Sequence, residues 1–137
     1  MPLVESEVNS MLRQMADYTV KIETTNNNIA VNVSYESNER TWISDMLSGM
    51  EKFVLNLAFR VALLNLSALS RTDFLLIDEG FGTLDAESSS SLPSLFSYLK
   101  DKFKFVLIIS HVDHIRDYVD DFLDIRQVNS FSEVFYD

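Results

Sequence analysis

Phe74-Leu75-Leu76-Ile77-Asp78-Glu79-Gly80-Phe81-Gly82 is the stretch on which the reading of this chain turns. Four consecutive apolar residues end abruptly in two carboxylates and a glycine-flanked aromatic. A short, continuous apolar run bounded in this way is the pattern of a strand buried in a parallel sheet. A second run, Phe105-Val106-Leu107-Ile108-Ile109, ends in Ser110-His111. Between the two, the residues from about Ala86 to Lys102 read as a helix, so the segment is a βαβ unit. Ligands of open α/β sheets bind beyond the carboxyl ends of the strands. Asp78, Glu79, Ser110 and His111 are therefore expected at one edge of the sheet. Adjacent residues at a strand end project to different sides, so one carboxylate can face a cation while its neighbour faces a water. Phosphoanhydride hydrolysis requires that division of labour, a hard cation on oxygen ligands and a group that orients the attacking water. Taken alone, the six residues FLLIDE are also the pattern of solvated carboxylates at the start of a loop.

Upstream, Leu47-Ser48-Gly49-Met50-Glu51 opens a segment of strong helix formers that runs to about Leu69. Its apolar residues, from Phe53 and Val54 to Leu64 and Leu66, cover most of the circumference, which predicts a helix buried on more than one side. Ser48-Gly49 is at the least an N-cap. Residues 3–18 place Leu3, Val4, Val8, Met11, Leu12 and Met15 near a 3.6 spacing and predict an amphipathic helix. TVKIET (19–24) and IAVNVSYE (29–36) alternate apolar and polar around an Asn-rich turn and predict a hairpin. Downstream, Asp113 to Val119 reads as a short helix and Phe122 to Val128 as a last strand. Trp42 and the ten phenylalanines read as core. The fold class expected is α/β, a parallel sheet flanked by helices with a small N-terminal hairpin layer. It forms one domain over 19–137, preceded at 1–18 by the stub of a longer helix.

Composition narrows the function classes. The 137 residues carry 21 acids and 11 bases, and 47% are apolar, an ordinary globular balance. A chain of this length buries roughly 68% of its unfolded surface, enough for one core and too little for two. A net charge of −10 makes it a poor stand-alone nucleic-acid binder, because phosphate contacts need clustered Lys and Arg. The acidity is uneven. Residues 47–110 hold seven acids and six bases, nearly neutral, and also all three glycines. No cysteine is present, which excludes disulfides and thiolate metal sites and points to a reduced intracellular setting. No run approaches the ~20 apolar residues of a membrane span. MPLVESEVNS, with two glutamates and no base before Arg13, does not read as a targeting peptide.

In order and spacing, Leu-Ser-Gly-x-Glu, FLLIDE, GFGTLD and the later histidine resemble the motifs of ABC-type ATPases. They look most like the SbcC-like ATPase subunits of double-strand-break repair nucleases, cousins of the SMC proteins. IDEGFGTLD is the most specific element. The resemblance covers about Leu47 to Val128, and more loosely the hairpin and helix before it, where such proteins have the returning arm of a coiled coil.

The resemblance implies roles for particular residues. Ser48, Gly49, Met50 and Glu51 form the signature motif, whose helix N-terminus meets the γ-phosphate of ATP held by an opposing head. Asp78 would hold Mg²⁺ through water, and Glu79 would polarise the attacking water. Gly82, Thr83, Leu84 and Asp85 would form the D-loop, and His111 the switch that senses the γ-phosphate. Lys52 and Arg60 match basic positions that couple nucleotide state to the coiled coil, although both are also what any exposed helix face carries. Likewise His111, Asp113 and His114 could read as a metal site or as a solvated turn. Met50 replaces a second glycine of the signature motif, and a side chain there is expected to limit close approach of the backbone to phosphate.

A P-loop, GxxxxGK[ST], is absent, since none of the three glycines precedes a lysine. A Cys-x-x-Cys zinc hook is absent as well. The expectation is therefore the C-terminal half of an ATP- and Mg²⁺-dependent head, completed by an N-terminal Walker A lobe from the same parent chain or a separate polypeptide. The resemblance further implies head-to-head homodimerisation, an SbcD-like nuclease subunit, and DNA bound by the assembled complex. It places the protein in the cytoplasm, or at the nucleoid if the source is bacterial, and implies no membrane. An SMC-type chromosome clamp is the alternative that shares these motifs.

Overall fold

Helix α1 spans Pro2–Met15, with Pro at its start, Glu5 in the first turn and Arg13 in the last, charges that suit the helix dipole. This computed structural model describes residues 1–26, 28–35, 41–68, 72–82 and 92–136. Val8, Met11, Leu12 and Met15 form the buried stripe of α1. The helix stops three residues earlier than its periodicity predicts. Ala16 is extended, and Tyr18 instead opens strand β1, Tyr18–Thr24, where its ring is buried. An aromatic followed by Thr-Val favours the strand over another helical turn.

β1 pairs antiparallel with β2, Ile29–Tyr35, from Tyr18↔Tyr35 to Thr24↔Ile29. A third strand that the pattern did not reveal, β3, Thr41–Ile43, adds to β2. Trp42 lies on it and is 37% exposed, so the expectation that it is core is wrong. Side chains of α1 satisfy the outer edge of β1. The Asn9 amide donates to the Val20 carbonyl and accepts from its N–H, both at 2.7 Å, and Glu5 Oε2 accepts from the Ile22 N–H at 2.7 Å. An edge closed in this way cannot template pairing with another chain.

Helix α2 spans Gly49–Leu66 and α3 Leu92–Lys102. The first turns of α3 expected from Ala86 lie outside the described residues. α1 packs on α2, β1 and α3, and the core between them includes Leu12, Val54, Ala58, Leu92, Leu95 and Leu99. Burying each leucine is worth about 2 kcal/mol of transfer free energy. The burial on more than one side expected of α2 runs to Ala62, while Leu63, Leu64 and Leu66 are exposed at its end.

Strands β4, Phe74–Asp78, and β5, Phe105–Ile109, pair in parallel with Phe74 opposite Phe105 and Asp78 opposite Ile109. One face, with Leu75, Ile77, Val106 and Ile108, packs on the core. The other is bare. Phe74 is 58% exposed, Phe105 60%, Leu76 54%, Leu107 45% and Ile109 50%. The sequence predicted both strands deep in a sheet, but among the described residues nothing covers this face or pairs with the outer edges.

After a 3₁₀-helix at Asp113–Tyr118, β6, Asp124–Val128, and β7, Phe131–Phe135, form a terminal hairpin. Asn129 and Ser130 both adopt positive φ, the demand of the tight turn that suits strand twist. Asn-Ser meets that demand with less of a signature than Asn-Gly, which is why the pattern does not reveal β7.

Candidate functional site

The carboxyl ends of β4 and β5 bring the predicted pair together. The Glu79 N–H donates to the Ile109 carbonyl at 2.9 Å, extending the ladder one residue past Asp78. Glu79 itself takes a positive φ of 59°, which costs an ordinary residue about 1–2 kcal/mol. In that conformation its Oε1 lies 3.2 Å from Nδ1 of His111, 32 residues away in sequence. Both side chains are more than half exposed, so the pair stands in solvent rather than in a pocket. Strand alternation puts Asp78 on the bare face with Phe74 and Leu76, and its carboxylate has no protein partner among the described residues. The two adjacent carboxylates therefore face different surroundings.

The residue after Glu79 has to be glycine on two counts. Gly80 has φ +107°, and a Cβ there would sit 2.5 Å from Cε2 of Phe53 on α2. The Phe53 ring meets Phe81 at a tilt with centroids 4.7 Å apart, Phe81 meets Phe96 tilted at 5.9 Å, and Phe96 stacks on Tyr118 at 5.5 Å. Phe81 is fully buried, so this row of rings forms the floor under the Asp78-Glu79 turn. Gly82 is exposed, and a Cβ there would meet nothing within 4 Å among the described residues. Thr83, Leu84 and Asp85, the rest of the expected D-loop, lie outside the described residues.

The signature residues form a complete helix start. Ser48 caps α2 in a reciprocal box, its Oγ accepting from the Glu51 N–H at 3.3 Å while Glu51 Oε2 accepts from the Ser48 N–H at 2.7 Å. Gly49 and Met50 N–H groups meet no acceptor among the described residues. The Met50 side chain is 2% exposed and packs in the core. The obstruction expected from Met50 is thus not seen, because the side chain points into the protein and leaves the helix end open. Two residues that the motifs do not include hold the same turn. Tyr35 donates to Glu51 Oε1 and Tyr18 to the Glu51 carbonyl, each at 2.8 Å. Their only signal in the sequence is their place at the paired ends of two amphipathic strands.

Lys52 and Arg60 are exposed and make no ion pair among the described residues. His114 is not drawn into a metal cluster, and no group of three His, Cys, Asp or Glu is poised to hold an ion among the described residues. Asp78 fits Mg²⁺ only of the kind that arrives on a nucleotide, held by one or two carboxylates and otherwise by phosphate and water. The sequence holds no P-loop, and what the described residues present at this edge is the open α2 end and the Glu79–His111 pair.

These features are similar to those of the C-terminal lobe of ATPase heads of the SbcC/SMC kind. The chain superposes on the SMC head domain from Thermotoga maritima with a TM-score of 0.71 at 18% identity, covering 99% of this chain and 48% of that one. In sequence it is 31% identical over 108 residues to the DNA double-strand break repair Rad50 ATPase of Archaeoglobus fulgidus, matching 79% of this chain and 12% of that protein. It is 38% identical over 72 residues to the SbcC component of the SbcCD nuclease of Pseudomonas aeruginosa, matching 52% of this chain and 6% of that one. An uncharacterized protein of Acanthamoeba polyphaga mimivirus is 28% identical over 150 aligned positions, 98% of this chain and 11% of that protein. No family model matches. The chain is thus a homologue of the Rad50/SbcC ATPases, with the fold of an SMC head lobe, and it spans about a tenth of the length of these curated relatives. No helix among the described residues is long and apolar enough to cross a membrane.

Proposed function

We propose that the chain is the C-terminal half of an ATPase head in an SbcCD-like DNA double-strand-break repair complex, working in the cytoplasm or at the nucleoid. The observation that carries this reading is the Glu79–His111 contact at the ends of two parallel strands, with Asp78 turned to the bare face beside it. A Walker A lobe seated on that face would cover Phe74, Leu76, Phe105, Leu107 and Ile109 and set a nucleotide beside Asp78. Glu79 then orients the attacking water and accepts its proton, and His111 steadies the Glu79 carboxylate from the neighbouring strand. Asp78 is the residue that would hold Mg²⁺, which when bound offsets phosphate charge. Ser48 and the open N–H groups of Gly49 and Met50 suit the γ-phosphate of a second head, since a helix N-terminus attracts anions. Lys52 and Arg60, on the same helix, are free to read that contact and pass it toward α1. Thr83, Leu84 and Asp85 complete the D-loop between heads in this reading. Head closure on ATP would gate a partner nuclease of the SbcD kind acting on DNA.

Calorimetry tests it. ATP with Mg²⁺ should show no binding to this chain alone at micromolar concentrations and clear binding once the Walker A lobe is added. Micromolar affinity for the chain by itself would overturn the half-head reading. The SMC-clamp reading draws on the likeness in fold to SMC heads, and copurification separates the two. A phosphodiesterase partner points to the nuclease complex, and a kleisin-like chain points to the clamp.

A further inference from the structure

The capping box at Ser48 and Glu51 is local and would form in an isolated helix. The two tyrosines are different. Tyr18 and Tyr35 are cross-strand partners on β1 and β2, their rings 5.7 Å apart. Their hydroxyls reach 33 and 16 positions along the chain to land on the same residue, Glu51, one at its backbone carbonyl and one at its carboxylate. Glu51 therefore divides its carboxylate between two tasks. Oε2 holds the Ser48 N–H, and Oε1 holds Tyr35. The strand that carries Tyr18 is in turn fixed to α1 by the Asn9 and Glu5 side chains. The first turn of α2, with its open Gly49 and Met50 N–H groups, is thus oriented by the N-terminal sheet and not by its own cap alone.

We propose that Tyr18 and Tyr35 are positioning residues of the signature turn: through Glu51 they fix where the Gly49 and Met50 N–H groups point, and so how well the turn receives the phosphate of an opposing head. The second half of this statement rests on the head reading above, and the first does not. A tyrosine pair that merely satisfied its own hydroxyls would affect overall stability and leave the order of this turn unchanged.

Amide hydrogen exchange on the chain as it stands tests the first half. The double variant Tyr18→Phe/Tyr35→Phe should speed exchange at Ser48, Glu51 and Lys52 about tenfold, the combined effect of losing two hydrogen bonds of modest net strength. Val54 to Val61, farther along α2, should exchange as in the parent. Glu51→Gln, which keeps an acceptor for Ser48 and a donor for Tyr35, should stay near parental rates, whereas Glu51→Ala should match the double variant. Parental exchange at Ser48 and Glu51 in the double variant, or Glu51→Gln failing as badly as Glu51→Ala, overturns the proposal. The second half is read by sedimentation of heads assembled with a Walker A lobe, in ATP and Mg²⁺. The tyrosine variants should weaken the dimer about tenfold with single-head nucleotide affinity unchanged. Parental dimerisation overturns the phosphate role. Parent heads that do not dimerise overturn the head reading itself, and the exchange result then decides whether the tyrosines position the turn.

Discussion

At the start of α2, every element of the site is held from within the chain: Ser48 and Glu51 cap each other, Tyr18 and Tyr35 brace Glu51, and Met50 anchors in the core. At the ends of β4 and β5 the chain supplies only the groups themselves. Asp78 has no partner among the described residues, and Glu79 and His111 touch each other in open solvent beside an uncovered apolar face. In the proposed head, the difference follows from what each end would have to meet. A turn that receives a phosphate from another head would have to be complete before that head arrives. Carboxylates that act on a nucleotide held by a second lobe would be completed only when the lobe docks. On that reading, the finished half is the half whose ligand would be delivered ready-made.

The largest effect should come from the unfinished end. Glu79→Gln in a head assembled with its Walker A lobe should lower ATP turnover by ~10²–10⁴, the usual loss for one positioned proton acceptor, and leave ATP binding intact. Turnover at the parental rate, measured by phosphate release, would reassign the base.

Smaller substitutions should then move the stability of the two ends in opposite directions. Ser48→Ala removes half of a capping box and should destabilise the chain by about 1 kcal/mol. Glu79→Gly removes the positive-φ penalty, set against the greater freedom of glycine in the unfolded chain, and should stabilise it by up to about 1 kcal/mol. Denaturant titration of both variants gives the signs directly. If Glu79→Gly destabilises, the His111 contact is worth more than the backbone strain, and the unfinished end is more self-supporting than its exposure indicates.

How legible all this was in the sequence differs along the same line. The βαβ unit and the Ser48 cap are local patterns, and each could be read from a few neighbouring residues. The end of α1 at Met15, the strands at Thr41–Ile43 and Phe131–Phe135, and the Tyr18–Tyr35–Glu51 contacts depend on partners far away in the chain. Burial of the central strands depends on partners in the same way. An all-apolar run tells that both faces want cover, but the cover for Phe74, Leu76, Phe105, Leu107 and Ile109 is not found among the described residues. Met50 misled in the opposite way, because a motif departure says what side chain is present and not which way it points.

The smallest effect, and the one that best isolates the finished end, lies in pH. Burial alone would push the Glu51 carboxyl up, but hydrogen bonds from Ser48 and Tyr35 outweigh it and hold it below its ordinary value of 4.5. A carboxyl depressed in the folded state contributes stability above pH 4.5, and that contribution is lost as pH falls through the lower folded value. The tyrosines bound the same cluster from the alkaline side. Burial, together with the charge of Glu51, raises Tyr18 above 10.0, and burial with the Glu51 hydrogen bond raises Tyr35. Their stability is complete below pH 10 and declines as pH rises past it, because the unfolded chain ionises first. Thermal melts across pH, taken as differences between parent and variant, separate the two limbs. Against Glu51→Gln, the parent should lose ground below about pH 4.5, and also above about pH 10, because Glu51 helps hold both tyrosines protonated. Asp124, also held low by its hydrogen bond from Arg126, titrates in both chains and cancels from that difference. Against Tyr18→Phe/Tyr35→Phe, the parent should lose ground above about pH 10, and also below about pH 4.5, because Tyr35 helps hold the Glu51 carboxyl low. A difference that stays flat at both ends would mean that neither the 2.8 Å contact of Tyr35 with the Glu51 carboxylate nor that of Tyr18 with the Glu51 carbonyl is kept in solution, and the signature turn would then rest on its local cap alone.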